Sequence, residues 1–195
     1  YNVAISGDGN YALVGAIGES SSAGAAYVFL RTGTTWAQQA KLTASDAAAS
    51  DSFGWDVSIS DDGTYALIGA YQNDDDGNAS GSAYVFLRTG TSWAQQTKIT
   101  ADDAAATDYF GAAVDLNSDA TYAVVGAYSD SLVVGAATYG LAGSAYIFTR
   151  SGTTWTQQAK VRPDDLAAGD RFGIDVSINN AGSLIVAGSE RADSG

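Results

Sequence analysis

Hydrophobic and polar residues alternate in short bursts along this chain, and the bursts return in a fixed order. From Asp56 to Ser60 the apolar Val57 and Ile59 alternate with polar neighbours, the period-two pattern of a strand. Asp61-Asp62-Gly63 supplies a turn and Tyr65 to Ala70 the returning strand, so this stretch predicts a β-hairpin. After a variable loop, Ser82 to Arg88 is rich in aromatic and β-branched residues. Thr89-Gly90-Thr91 turns the chain, and Trp93 to Thr100 is a strand of mixed polarity, which predicts a second hairpin.

The two hairpins form one unit of about sixty residues that recurs. Ala26 to Lys41 returns as Ala83 to Lys98 with two changes, and in more diverged form as Ala145 to Lys160. Trp36, Trp93 and Trp155 mark one place in the unit, and Phe53-Gly54, Phe110-Gly111 and Phe172-Gly173 mark another. Gly15-Ala16, Gly69-Ala70, Gly126-Ala127 and Gly188-Ser189 close the strand that follows the first turn. A lone four-stranded sheet cannot cover both of its faces, so the units must stack on each other. The expectation is an all-β chain of tandem four-stranded antiparallel sheets resembling propeller blades. It holds about three and a half units, residues 1–54, 55–111, 112–173 and 174–195, as a portion of a longer array or ring. Linkers such as Ala101 to Ala106 are expected to form at most one helical turn capped by an Asp.

Composition narrows the function. Nine basic against 22 acidic residues give a net charge of -13, which leaves no electrostatic footprint for nucleic acid or anionic lipid. No apolar run approaches the ~20 residues of a membrane-spanning helix, so membrane insertion is not expected. Histidine, cysteine and methionine are all absent, which removes imidazole and thiolate chemistry. The acidity and the Ser/Thr/Gly/Ala richness suit an extracellular or cell-surface protein. The chain begins at Tyr1 with neither an initiator Met nor a signal-like region, and is expected to be a processed chain or an excerpt.

At the Phe-Gly pairs, the Gly-Ala dipeptides and the Tyr-Val-Phe core of the third strand, the chain resembles the FG-GAP repeat family. That family's units form blades of β-propellers in integrin α-subunit heads and in bacterial surface proteins. The resemblance covers essentially the whole chain. It departs from the family where Ile17, Tyr71 and Tyr128 replace the Pro of Gly-Ala-Pro, and where Gly188 is followed by Ser189. The integrin-type calcium loop is not reproduced.

Several residues invite a chemical reading beside a structural one. The first-hairpin turns, such as Gly7-Asp8-Gly9 and Asp61-Asp62-Gly63, read as ordinary turns because they keep too few carboxylates for calcium's six to eight oxygens. Asp74-Asp75-Asp76 is the better calcium candidate, since a cation would relieve their mutual repulsion, although neighbours in extended backbone point apart. No other cofactor is expected. Asn78-Ala79-Ser80 is a glycosylation sequon in a polar loop, and the Thr32 to Thr35 and Thr153-Thr154 turns could carry O-linked sugars. The paired acids Asp102-Asp103 and Asp164-Asp165 follow the repeat, which favours a structural role over catalysis. The three regularly spaced Trp residues read as a sugar-stacking row or as packing over the adjoining unit. Leu132, Val133 and Val134 belong to an insertion specific to the third unit and suggest a contact surface.

These readings point to a non-enzymatic structural or adhesive repeat protein in a surface or matrix assembly such as a filament. Its expected partners are itself, end to end, or further repeats, together with glycans or surface proteins. The alternative is an integrin-like ligand-binding propeller, calcium-assisted, or an accessory domain of an enzyme. First-type hairpins begin near Val3, Val57, Val114 and Val176, while second-type hairpins occur at Tyr27, Tyr84 and Tyr146. Four do not pair with three, and a closed propeller needs both types in equal number. An open, continuing assembly is therefore expected over a closed ring.

Overall fold

The computed structural model describes residues 2–134 and 137–191, without the side chains of Leu132, Val134 and Ala137. Three four-stranded antiparallel sheets follow one another along the chain. The first is β1 (Val3–Ile5), β2 (Tyr11–Ala16), β3 (Ala25–Thr32) and β4 (Thr35–Leu42). The second is β5 (Val57–Ile59), β6 (Tyr65–Ala70), β7 (Ser82–Thr89) and β8 (Ser92–Ile99). The third takes β9 (Ala113–Leu116) and β10 (Tyr122–Ala127), then β13 (Ser144–Ser151) and β14 (Thr154–Val161). Between its halves, β11 (Leu132–Val134) and β12 (Ala137–Tyr139) form a separate hairpin, and β15 (Val176–Ile178) pairs with β16 (Ile185–Ala187) as half of a fourth unit.

The first strands β1, β5, β9 and β15 lie side by side, so the sheets radiate from one axis like propeller blades. This placement explains why β5 loses the alternation its sequence predicts. All three of its residues are buried, because Ser58 packs against the next inner strand and donates to Asp115 Oδ1 at 2.9 Å. Inner-edge amides have no further strand to pair with, and neighbouring carboxylates accept them. Asp56 Oδ2 accepts the Val114 amide at 2.7 Å, and Asp115 Oδ2 that of Ile178 at 2.9 Å.

The two landmark motifs interlock the units. Gly54, Gly111 and Gly173 have φ of 89°, 86° and 82°, in the left-handed region that favours glycine. Their amides donate to the carbonyls of Gly69, Gly126 and Gly188 on the second strand that follows, at 2.9, 3.0 and 2.8 Å. Their carbonyls lie directly on Gly15, Gly69 and Gly126 of the preceding sheet, where an added methyl would overlap backbone. The aromatic half of the motif fills the gap between sheets. Phe53 and Phe110 are both fully buried, and Phe110 meets Tyr146 and Phe148 edge-on at 5.4 and 5.9 Å. Around Phe110, Leu67 and Val85 of the second sheet meet Val114 and Val125 of the third, all at most 5% exposed.

The outer strands use the Gln-Gln dipeptide. A bulge in each third–fourth strand pair leaves Gln39 and Gln96 without a cross-strand partner, and the extra residue of a bulge re-aims its side chain. Trp93 Nε1 donates to Gln39 Oε1 at 2.9 Å, and Trp155 Nε1 to Gln96 Oε1 at 3.3 Å. The Trp residues thus pack across unit boundaries, and their indole N–H groups are tied to the preceding sheet. The linkers differ from the expected capped helical turn. They form successive tight turns in which Asp51, Asp108 and Asp170, two residues before each Phe, accept the amides of Ala48, Ala105 and Ala167 at 2.9, 2.8 and 2.7 Å.

Candidate functional site

Loops entering a unit before its Phe-Gly turn and loops joining its second and third strands emerge on one face. The positions flanking the two landmarks meet there. Trp55 follows Phe53-Gly54, Tyr71 and Tyr128 follow Gly69-Ala70 and Gly126-Ala127, and Tyr109 and Arg171 precede the next two Phe residues. Their rings form a continuous file, with centroids 4.3 Å apart for Trp55–Tyr71, 5.4 Å for Tyr71–Tyr109 and 5.4 Å for Tyr109–Tyr128. The Arg171 guanidinium lies 6.0 Å from the Tyr128 ring and donates to Glu190 at 2.6 Å. All four aromatics are half-buried, and a cleft of about 370 Å³ opens beside Trp55, Tyr109, Tyr128 and Arg171, lined also by Ala112, Leu141 and Ile174, with Tyr71 behind Trp55 and Tyr109. Burial, with Tyr109 and Tyr71 close by, pushes the Tyr128 phenol above its ordinary range. Sequence reading missed this cluster. Its signal was present in Tyr71 and Tyr128, which stand where the resembling family has Pro.

The residues that the sequence singled out lie elsewhere. Asp74 Oδ1 accepts the Ala79 amide at 2.7 Å, Asp75 is ion-paired to Lys98, and Asp76 is exposed. The structure does not bring the three together, and no group of three metal-ligating side chains gathers among the described residues. Asn78 is exposed, but the hydroxyl that completes its sequon is buried, Ser80 being 1% exposed. The Thr32 to Thr35 turn is exposed. Val133 is 65% exposed on the β11–β12 hairpin, while the side chains of Leu132 and Val134 lie outside the described residues.

The first-hairpin carboxylates are occupied within their own turns. Asp62 accepts the Thr64 amide at 2.8 Å and the Ser60 hydroxyl at 2.8 Å. Burial raises its pKa, but these bonds outweigh burial and hold it below the usual carboxylate range. Of the paired acids, Asp102 donates its backbone amide to Gln157 Oε1 at 3.0 Å, and Asp103 accepts from Lys160 at 2.6 Å and from the Tyr146 hydroxyl at 3.1 Å. Lys160 also meets Asp130 at 2.6 Å, so these groups join the linker to the sheets. Asp164 and Asp165 are exposed on the next linker.

Two carboxyls titrate unusually high. Burial pushes Asp56 up to about 6, opposed by the Val114 and Val57 amides and reinforced by Asp175 and Asp115. Burial likewise pushes Asp108 up to about 6, with Asp130 and Asp103 adding to it. The native state then holds these protons more tightly than the unfolded chain, so stability rises as pH falls from about 6 toward the ordinary value of 3.8. Each group contributes on the order of 1–3 kcal/mol. Melting temperature is expected to be higher at pH 5 than at pH 7.5. It should fall again below pH ~4, where the depressed Asp62, Asp119 and Asp130 gain protons. Thermal melts of Asp56→Asn, which should flatten the rise, separate this effect from relief of the overall charge of -13.

Antiparallel four-stranded sheets set around their first strands define a β-propeller-like repeat protein. The chain belongs to the FG-GAP repeat family, whose description matches residues 36–86, 93–148 and 155–195. Each match starts at one of the repeated Trp residues, half a unit out of phase with the sheets. The fold is similar to that of Saccharomyces cerevisiae Sqt1, with 10% identity and a TM-score of 0.51 over 86% of this chain and 36% of that one. It is also similar to the beta-propeller domain of Myceliophteria thermophila Cps50 (Swd1), with 11% identity and a TM-score of 0.59 over 97% of this chain and 50% of that one. The chain thus spans half or less of these structures, and identities this low show the fold alone. No curated protein sequence matches the chain.

Proposed function

We propose that this chain is a non-enzymatic structural and adhesive segment of an extracellular surface or matrix assembly, in which further repeats of its own kind cover both end faces. The observation that carries this reading is the contrast between equivalent positions. Val3 and Ile5 are 67% and 62% exposed, whereas Val57 and Ile59 at the same place in the second unit are 5% and 7% exposed. At the other end Val186 is 70% exposed, whereas its equivalent Leu67 is fully buried. Each end therefore presents an apolar face built like those that meet inside the array. The outer strands repeat the pattern. Trp36 is 42% exposed, with no glutamine bonded to its indole among the described residues, and Gln158 receives no indole at the opposite end.

End-to-end contact of this kind is heterologous and builds a filament whenever its rotation fails to close. The absence of His and Cys from the sequence and the structural ties of Asp102 and Asp103 support a role without catalysis. Electron microscopy of the native material is expected to show long fibres with an axial repeat set by these units. Discrete toroidal particles of uniform size would overturn the reading. In solution, Val186→Lys is expected to shift sedimentation toward smaller species, because a charge on that face resists burial.

A further inference from the structure

The geometry points to a binding site for a neutral saccharide in the loop-face cleft beside Trp55, Tyr109, Tyr128 and Arg171. The inference gives the adhesive part of the proposed role a ligand class, and its test reads sugar binding without reference to assembly, so either can fail alone.

The cleft is one of the places where the units differ. The residue after each Phe-Gly pair is Trp55, Ala112 and Ile174 in turn, and the residue before it is Ser52, Tyr109 and Arg171. Packing across unit boundaries does not demand these differences, since the Phe and Gly that make the contacts are the same each time. Their effect is local. Ala112 is small where its equivalents are large, and the space it leaves forms part of a cleft of about 370 Å³, within the range of small-molecule sites.

The lining matches a polyol with apolar faces. Trp55, Tyr71, Tyr109 and Tyr128 brace one another edge-to-face or tilted, which fixes them before any ligand arrives and leaves each half-exposed. Ring faces of this kind receive the C–H face of a pyranose, and the phenols of Tyr109 and Tyr128, which line the cleft, supply hydroxyls that donate and accept. Arg171 gives one N–H to Glu190 at 2.6 Å. Its planar fork keeps other donors for a pair of adjacent sugar hydroxyls.

Charge selects a neutral ligand over an ionic one. The chain's net charge of -13 disfavours anions. The guanidinium is already paired with Glu190 and sits over Tyr128, so a ligand cation would meet a positive group at the ring that would otherwise attract it.

The test is affinity electrophoresis of the full chain through gels carrying soluble glucan, mannan, xylan or galactan, with titration calorimetry on oligosaccharides of any that retards it. At least one neutral glycan is expected to retard the wild type. Trp55→Ala and Tyr109→Ala should each weaken binding about tenfold or more, and Ala112→Ile should do so by filling the cleft while keeping every ring. Trp36→Ala, on an outer strand, should bind as the wild type does. Melting curves establish that each variant is folded. Three outcomes would overturn the proposal: no retardation by any of the four glycans, retardation unchanged in Tyr109→Ala and Ala112→Ile, or saturation by tetraethylammonium at lower concentration than by any oligosaccharide.

Discussion

Replacing Phe110 with alanine is expected to lower unfolding free energy by roughly 3 to 5 kcal/mol, among the largest effects of any single truncation in this chain. The ring is fully buried and packs edge-on against Tyr146 and Phe148. It also fills the centre of the space between the second and third sheets, where Leu67, Val85, Val114 and Val125 surround it. Its backbone amide donates to Ser80 O at 2.9 Å and is held there whatever the side chain, so the cavity cannot close by collapse of that turn. Urea denaturation followed by tyrosine and tryptophan fluorescence measures the loss. In a linear array each unit is stabilised by its neighbours, so broken coupling should also make the transition broader. A midpoint equal to the wild type's would show that this contact does not hold the sheets together.

Gly69→Ala is expected to cost about 3 kcal/mol, near the upper end of overpacking effects. Gly69 lies in a strand and needs no unusual backbone conformation. The added methyl would instead overlap the carbonyl of Gly111 in the turn that leads into the next sheet, which is backbone and cannot swing aside as a side chain can. The damage therefore falls where one sheet meets the turn into the next. Gly90→Ala is the matched control, because it sits in an exposed turn at φ 63° with open space around it. Its cost should be only about 1 kcal/mol, from the left-handed conformation alone. Chemical denaturation of the two variants side by side decides the point. A cost at Gly69 no greater than at Gly90 would show that the Phe-Gly and Gly-Ala motifs do not interlock as described.

Together these glycines and the phenylalanine account for the family's shared motifs in physical terms. The Phe supplies the apolar contact between sheets, the Gly beside it allows the turn, and the Gly of Gly-Ala admits that turn's backbone from the neighbouring unit. Bulk at any of these positions has nowhere to go. Bulk at the flanking positions does, because those side chains emerge on the loop face, and there this chain places Trp55, Tyr71, Tyr109 and Tyr128.

The sequence by itself determined the period, the four strands of each unit and the core. The spacing of Phe53, Val57, Ile59, Leu67, Tyr84, Phe86 and Trp93 recurs because each unit meets the same neighbours; the first six are at most 7% exposed, whereas Trp93, on the outer strand, is only partly buried and packs against that core from its rim. Strand ends were equally legible, since Thr89-Gly90 and Asp62-Gly63 turn the chain by local preference. Tertiary structure decided what depends on residues distant in sequence. The alternation of β5 suggests a strand with one wet face, but inner strands on both sides cover it. The linker acids suggest a helix cap, yet the turn is stapled by Asp51, Asp108 and Asp170 next to the Phe residues that anchor it. The aromatic cleft is assembled from side chains as distant in sequence as Trp55 and Ile174, and each alone reads as a loop residue. Periodicity reports which face of a strand is apolar, whereas a site between units depends on which loops the stacking of whole sheets brings together.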